Sequence, residues 1–71
     1  MRIWNRDTYT VEEKSFDGDL HEFDVVKDSE VIATITPGSI EDMQQIVDDL
    51  DNGASVQGWE DGMGNTISVI G

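Results

Sequence analysis

The chain has 71 residues, with 16 acidic and four basic side chains and a formal net charge of −12 at pH 7. This length accommodates one domain, residues 1–71, with a single thin core and a stability toward the lower end of about 5–15 kcal/mol. The absence of cysteine excludes disulfides and thiolate metal sites, and short apolar stretches without a signal peptide predict a cytoplasmic protein with no membrane contact.

The first part of the chain predicts short strands joined by tight turns. Residues 1–5 indicate a first strand, and the β-branched and aromatic residues 8–11 begin a second that can continue to Phe16. The Asp-Gly-Asp sequence at 17–19 supplies a hairpin turn, because Asp-Gly readily adopts positive φ. Residues 20–27 alternate apolar and polar side chains and predict the next strand.

Residues 31–36 predict a further strand in which Val31, Ala33 and Ile35 share one face. Ile32 would then place an apolar side chain on the opposite face. The interpretation is a central strand that is partly covered on both sides.

A helix follows, and it is the element that the sequence indicates most clearly. Ser39 is placed to cap its first turn, and Asn-Gly at 52–53 is a good C-terminal stop. Its apolar residues recur at spacings of three and four: Ile40, Met43, Ile46, Val47 and Leu50. Asp48, Asp49 and Asp51 lie at the negative end of the helix dipole, a local cost that requires another explanation.

After Gly53 the chain becomes rich in glycine, and Trp59 is expected to pack beneath this loop. Residues 66–70 predict a last strand, with Ile67 and Val69 on one face. With the short stretch 1–5 not counted, the element order is β-β-β-α-β, and the expected fold is α+β, a small antiparallel sheet with one helix packed across it.

No residue pattern predicts catalysis. His21 has no cysteine or suitably placed serine to activate, so we interpret it as an exposed or half-buried strand histidine. A calcium loop starting at Asp61 would require an oxygen ligand at its third position and glycine at its sixth, where Met63 and Thr66 stand. There is also no glycine-rich phosphate loop. We therefore predict no enzyme activity, no cofactor and no metal site.

The charge distribution is the most informative feature for function. No lysine or arginine occurs after Lys27. Such a surface repels nucleic acids and anionic lipids and attracts basic protein surfaces. The candidate partner-binding residues are in the helix and the following loop: Glu41, Asp42, Asp48, Asp49, Asp51, Trp59, Glu60 and Asp61. A merely acidic domain without such a partner, and adaptation to high salt, are alternatives.

Four segments within residues 30–66 carry a family resemblance: Ile32-Ala33-Thr34-Ile35-Thr36-Pro37, Glu41-Asp42-Met43, Asp49-Leu50-Asp51-Asn52-Gly53-Ala54 and Gly58-Trp59-Glu60-Asp61-Gly62-Met63-Gly64-Asn65. They resemble small uncharacterised acidic proteins of Gram-positive bacteria, lactic acid bacteria in particular, and their phages. The resemblance implies no activity, but it implies a phage or prophage origin and favours a host-directed inhibitor.

The leading hypothesis is a non-enzymatic acidic protein, phage- or prophage-derived, that occupies a basic, nucleic-acid-binding protein surface by nucleic-acid mimicry. The alternative is a structural or assembly module, of which a homodimer is one form. In that case strand edges and the apolar residues Trp4, Ile32 and Val56 would form the interface.

Overall fold

The computed structural model describes residues 2–69. Its elements in chain order are β1 (Ile3–Asn5), β2 (Thr10–Asp17), β3 (Leu20–Lys27), β4 (Glu30–Ile35) and α1 (Ile40–Asp51). The strands form one antiparallel sheet in the order β1-β2-β3-β4. The helix packs against one face of this sheet, which confirms the α+β prediction. Within residues 2–69, no helix has the length and apolar character needed to cross a lipid bilayer.

Two tight turns set the path of the sheet. The β2–β3 turn contains Gly18 at φ 58°, as the Asp-Gly sequence predicts. The β3–β4 turn places two non-glycine residues, Asp28 and Ser29, at φ 53° and 68°. Aspartate tolerates this left-handed region because its short side chain can hydrogen-bond locally. Each strand therefore pairs with its neighbour in sequence.

The core lies between the sheet and α1 and is centred on β3. The side chains with least exposure come from β2, β3, the helix and the segment after the helix: Phe23, Leu50, Val11, Val25 and Val56. Trp4 closes one side, with its ring centroid 5.9 Å from that of Phe23. β3 contributes most because it is an inner strand whose alternate residues lie beneath the helix.

β4 differs from its prediction in two ways. It is an edge strand, so the prediction of a central strand is wrong. In addition, the pairing register shifts between Val25 and Val26, which are opposite Ala33 and Val31. This bulge interrupts the alternation on which the prediction depended. As a result, Val31 and Ile32 are 54% and 41% exposed instead of packed.

The segment after α1 also differs from its prediction. Thr66 makes one isolated bridge to Glu60, and no named strand follows the helix within residues 2–69. The predicted strand therefore does not form there, and its last residue, Ile70, lies outside the described residues. The observed order is β-β-β-β-α.

The backbone of this segment hydrogen-bonds to loops and side chains. The Val69 N–H donates to Gln57 Oε1 at 2.8 Å, and the Val69 carbonyl accepts from Thr8 Oγ1 at 3.3 Å. Ile67 and Val69 are nevertheless buried in the core. The apolar alternation was therefore a sign of burial and not of a strand.

We expect Phe23→Ala to lower the free energy of unfolding by about 3–5 kcal/mol, because the change leaves a cavity at the centre of the core. Phe16→Ala is the matched control, since Phe16 is 53% exposed; its effect should stay within about 0.5 kcal/mol. Urea denaturation followed by circular dichroism measures both. Equal losses for the two variants would contradict this description of the core.

Candidate functional site

The exposed side of α1 carries four carboxylates, here called the acidic helix face: Glu41, Asp42, Asp48 and Asp49. The helix begins where predicted, with Ser39 Oγ accepting from the Asp42 N–H at 3.2 Å. The amides of Gln44 and Gln45 donate to Asp48 and Asp49, each at 2.9 Å. These i,i+4 bonds limit the movement of two of the four carboxylates.

The C-terminal end of α1 is stabilised by a base from the other end of the chain. Arg6 Nη2 donates to the Leu50 carbonyl at 2.8 Å and to the Ala54 carbonyl at 3.1 Å, and its Nε also donates to Ala54 at 3.3 Å. Trp4 Nε1 donates to Asp51 Oδ1 at 2.8 Å. A guanidinium at the negative end of the dipole, together with this indole bond, explains why aspartates are tolerated there.

The loop after α1 is held close to the end of β4. The Asp61 carbonyl accepts from the Thr36 N–H at 3.3 Å. Gly62, at φ +88°, lies so close that a Cβ there would come within 2.6 Å of Thr36 Oγ1 and 2.9 Å of its carbonyl oxygen. Only glycine satisfies both the backbone angle and this approach.

The Asp61 carboxylate supports the loop and has little surface to offer a partner. It accepts from the N–H groups of Met63 at 2.8 Å and Asn65 at 3.2 Å, and the residue is 8% exposed. The hydrogen bond from Met63, and then that from Asn65, holds the pKa of Asp61 below its ordinary value. This is turn chemistry, as the sequence suggested.

An open groove of about 290 Å³ lies between α1 and the loop. Its lining combines three apolar residues with two acidic ones: Ile35, Ile46, Trp59, Asp49 and Glu60. Asp49 belongs to the acidic helix face, so the groove continues that surface. We call it the Trp59 groove.

The eight predicted partner-binding residues therefore separate into three groups. Glu41, Asp42 and Asp48 lie on the exposed helix surface, and Asp49, Trp59 and Glu60 line the groove. Asp51 and Asp61 hold hydrogen bonds of the fold. Sequence reasoning missed Ile35 and Ile46 as groove residues, because apolar spacing indicates a core without showing where the core opens.

A second charged cluster lies on the sheet face opposite α1. Lys14 forms an ion pair with Asp24, whose other oxygen accepts from Thr34 Oγ1 at 2.9 Å. The hydrogen bond and charge of Asp24 raise the pKa of Lys14, and Glu12 and Glu22 add to this effect. Asp24 is 4% exposed. Lys14 neutralises one of the three acids around it, so this face of the sheet keeps a net negative charge of its own.

His21 pairs with a carboxylate from β2 and not with its sequence neighbour Glu22. Its Nδ1 lies 2.9 Å from Glu13 Oε2, and Glu13 Oε1 accepts from the Arg2 N–H at 3.3 Å. Burial of Glu13 raises its pKa, but the His21 and Arg2 hydrogen bonds and charges outweigh this and lower it from its ordinary value of 4.5. The half-buried histidine agrees with the interpretation from the sequence.

No protein-family model, curated protein or solved structure matches this chain. The resemblance to small proteins of Gram-positive bacteria and their phages therefore stays a prediction. Proposals about function depend on the geometry above.

We expect Arg6→Met to lower the free energy of unfolding by about 1–2 kcal/mol, since it leaves the Leu50 and Ala54 carbonyls without their guanidinium partner. Lys27→Met removes the same charge from a strand residue away from the helix end and serves as the control. Chemical denaturation measures the two. An equal loss in both variants would show that net charge, and not the helix end, is responsible.

We expect the stability difference between the wild type and Glu13→Gln to shrink as the pH falls from about 5 to about 3. The folded-state pKa of Glu13 lies below its unfolded value, so the ionised carboxylate stabilises the fold above that value. This stabilisation is lost as the pH falls through the folded-state pKa. Urea midpoints at several pH values test this, and a difference that grows toward acid would contradict it.

Proposed function

We propose that this protein is a non-enzymatic acidic binding protein that occupies a basic protein surface in place of a nucleic-acid strand. One observation carries the proposal: α1 presents exposed carboxylates near both of its ends, and Arg6, at its C-terminal end, donates to backbone carbonyls. Of the four basic side chains, Arg6 is bound to the helix end and Lys14 to Asp24. A basic partner is the counterpart that such a surface attracts.

The linear charge density of α1 supports mimicry in particular. Its 12 residues include five carboxylates: Glu41, Asp42, Asp48, Asp49 and Asp51. At about 1.5 Å per residue the helix is about 18 Å long, so the average is about one carboxylate per 3.6 Å, in two groups with a gap of about 9 Å between Asp42 and Asp48. One strand of DNA carries a charge about every 3.4 Å. A protein surface that neutralises phosphates would therefore meet a similar density of negative charge.

The origin and location follow as parts of the same proposal. The resemblance to small proteins of Gram-positive bacteria and their phages supports a phage- or prophage-derived inhibitor. The absence of cysteine supports a reducing compartment, the cytoplasm. The net charge of −12 opposes direct binding of nucleic acid by this chain.

Two of the three residues that the assembly alternative places in its interface are buried in the core. Trp4 is 8% exposed and Val56 is fully buried, so both belong to the core. Ile32 stays available at the edge strand β4, together with Val31. Self-association at this edge would bring together two chains that each carry −12, which opposes a homodimer at low salt.

We expect the wild type, immobilised at low salt, to retain basic nucleic-acid-binding proteins from a Gram-positive bacterial extract. Excess duplex DNA should displace them, and so should raising the salt to about 1 M, where the Debye length falls to about 3 Å. The triple variant Glu41→Gln/Asp42→Asn/Asp48→Asn should lose most of this retention. Quantitative mass spectrometry of the retained proteins gives the measurement.

The matched control is Asp17→Asn/Asp19→Asn/Glu30→Gln, which removes the same charge from exposed turn and strand positions. It should retain the same proteins as the wild type. An equal loss of retained protein in both variants would show that retention depends on net charge alone, and it would overturn a specific role for α1. Retention that DNA does not compete for would overturn mimicry.

A further inference from the structure

The Trp59 groove has two features that together define a ligand chemistry. Three of its five lining residues are apolar, and the other two, Asp49 and Glu60, are acidic. None of the lining residues is basic. An apolar floor with an unbalanced acidic rim is complementary to a side chain with an apolar stem and a cationic head.

We propose that the Trp59 groove binds an arginine side chain of the basic partner. The arginine stem would contact Ile35 and Ile46, while its planar guanidinium would stack on the Trp59 indole and donate to a carboxylate of the rim. Arginine suits this site better than lysine, because its fork of N–H donors can satisfy a carboxylate while its face lies on an aromatic ring. The inference rests on the proposed function and gives its surface one specific contact.

The size and openness of the groove agree with a single side chain. A volume of about 290 Å³ lies just below the range for small-molecule sites, about 300–1,000 Å³. An apolar side chain of the partner would fill the floor but would desolvate the rim carboxylates without pairing them. A guanidinium removes that penalty.

Both walls of the groove are held in place before any partner binds. Gln45 Nε2 donates to Asp49 at 2.9 Å on the helix side. On the loop side, the Trp59 backbone donates to the Val56 carbonyl at 3.0 Å and accepts from the Ile67 N–H at 2.8 Å. Little ordering is therefore required on binding, which favours affinity.

The test uses the two indole N–H signals of the ¹⁵N-labelled protein as internal probes. Trp59 lines the groove, whereas the Trp4 indole is bound to Asp51 and lies in the core. Titration with the peptide acetyl-Gly-Arg-Gly-amide at low salt should shift the Trp59 signal and leave that of Trp4 in place. The same peptide with citrulline, which is uncharged, should produce no comparable shift.

Two variants with equal charge changes locate the binding. Asp49→Asn/Glu60→Gln should weaken arginine-peptide binding at least about fivefold. Asp19→Asn/Glu30→Gln, at exposed positions outside the groove, should change it by less than about twofold. Circular dichroism checks that both variants keep the fold.

The outcomes separate this inference from the proposed function. Equal weakening in both variants, or binding without a shift at Trp59, would overturn the groove as an arginine site. Equal binding of the citrulline peptide would assign the groove to apolar ligands and overturn it as well. In each case, capture of basic proteins that depends on Glu41, Asp42 and Asp48 would still stand. Groove binding without that capture would instead overturn the proposed function.

Discussion

The hydrogen bonds of Arg6 to the end of α1 are the interaction on which the acidic surface of the helix depends. They join the N-terminal part of the sheet to the Leu50 and Ala54 carbonyls, where the helix dipole and the nearby aspartates concentrate negative charge. One base from outside the helix thereby removes the need for bases within it. All polar positions of α1 are then free to carry acids and glutamines, and the negative surface follows from that placement.

Local signals predicted much of the fold correctly. Ser39, the apolar stripe from Ile40 to Leu50 and Asn-Gly at 52–53 place the helix within a residue of its observed limits. The strand and turn residues 17–27 were equally informative. The prediction that β4 is a central strand was wrong because a bulge changes which side chains face inward. A bulge cannot be recognised in a hydrophobic pattern. The prediction of a strand in the final segment was wrong because Ile67 and Val69 alternate as strand residues do, yet their backbone groups bond to loops and side chains.

The candidate site was predicted in its composition but not in its geometry. The acids of α1 follow from helical periodicity, so Glu41 and Asp48 are exposed as expected. The groove could not be predicted, since it requires Ile35, Ile46 and Trp59 from three parts of the chain to meet. The roles of Arg6 and Asp51 depend equally on contacts across more than 40 residues of sequence. Single-residue chemistry identified the acids and Trp59, whereas only the tertiary contacts revealed the other groove residues and separated surface carboxylates from structural ones.

The sequential strand order has a consequence for how the chain folds. Every strand of the sheet pairs with the strand just before or after it, so the hairpins close short loops at a small entropic cost. The contacts of Tyr9 and Thr8 with Val56 and Val69 instead span 47 and 61 residues. We therefore expect the hairpins to form early and the C-terminal segment to dock late. The wall of the groove that contains Trp59 would then be completed in the last step of folding.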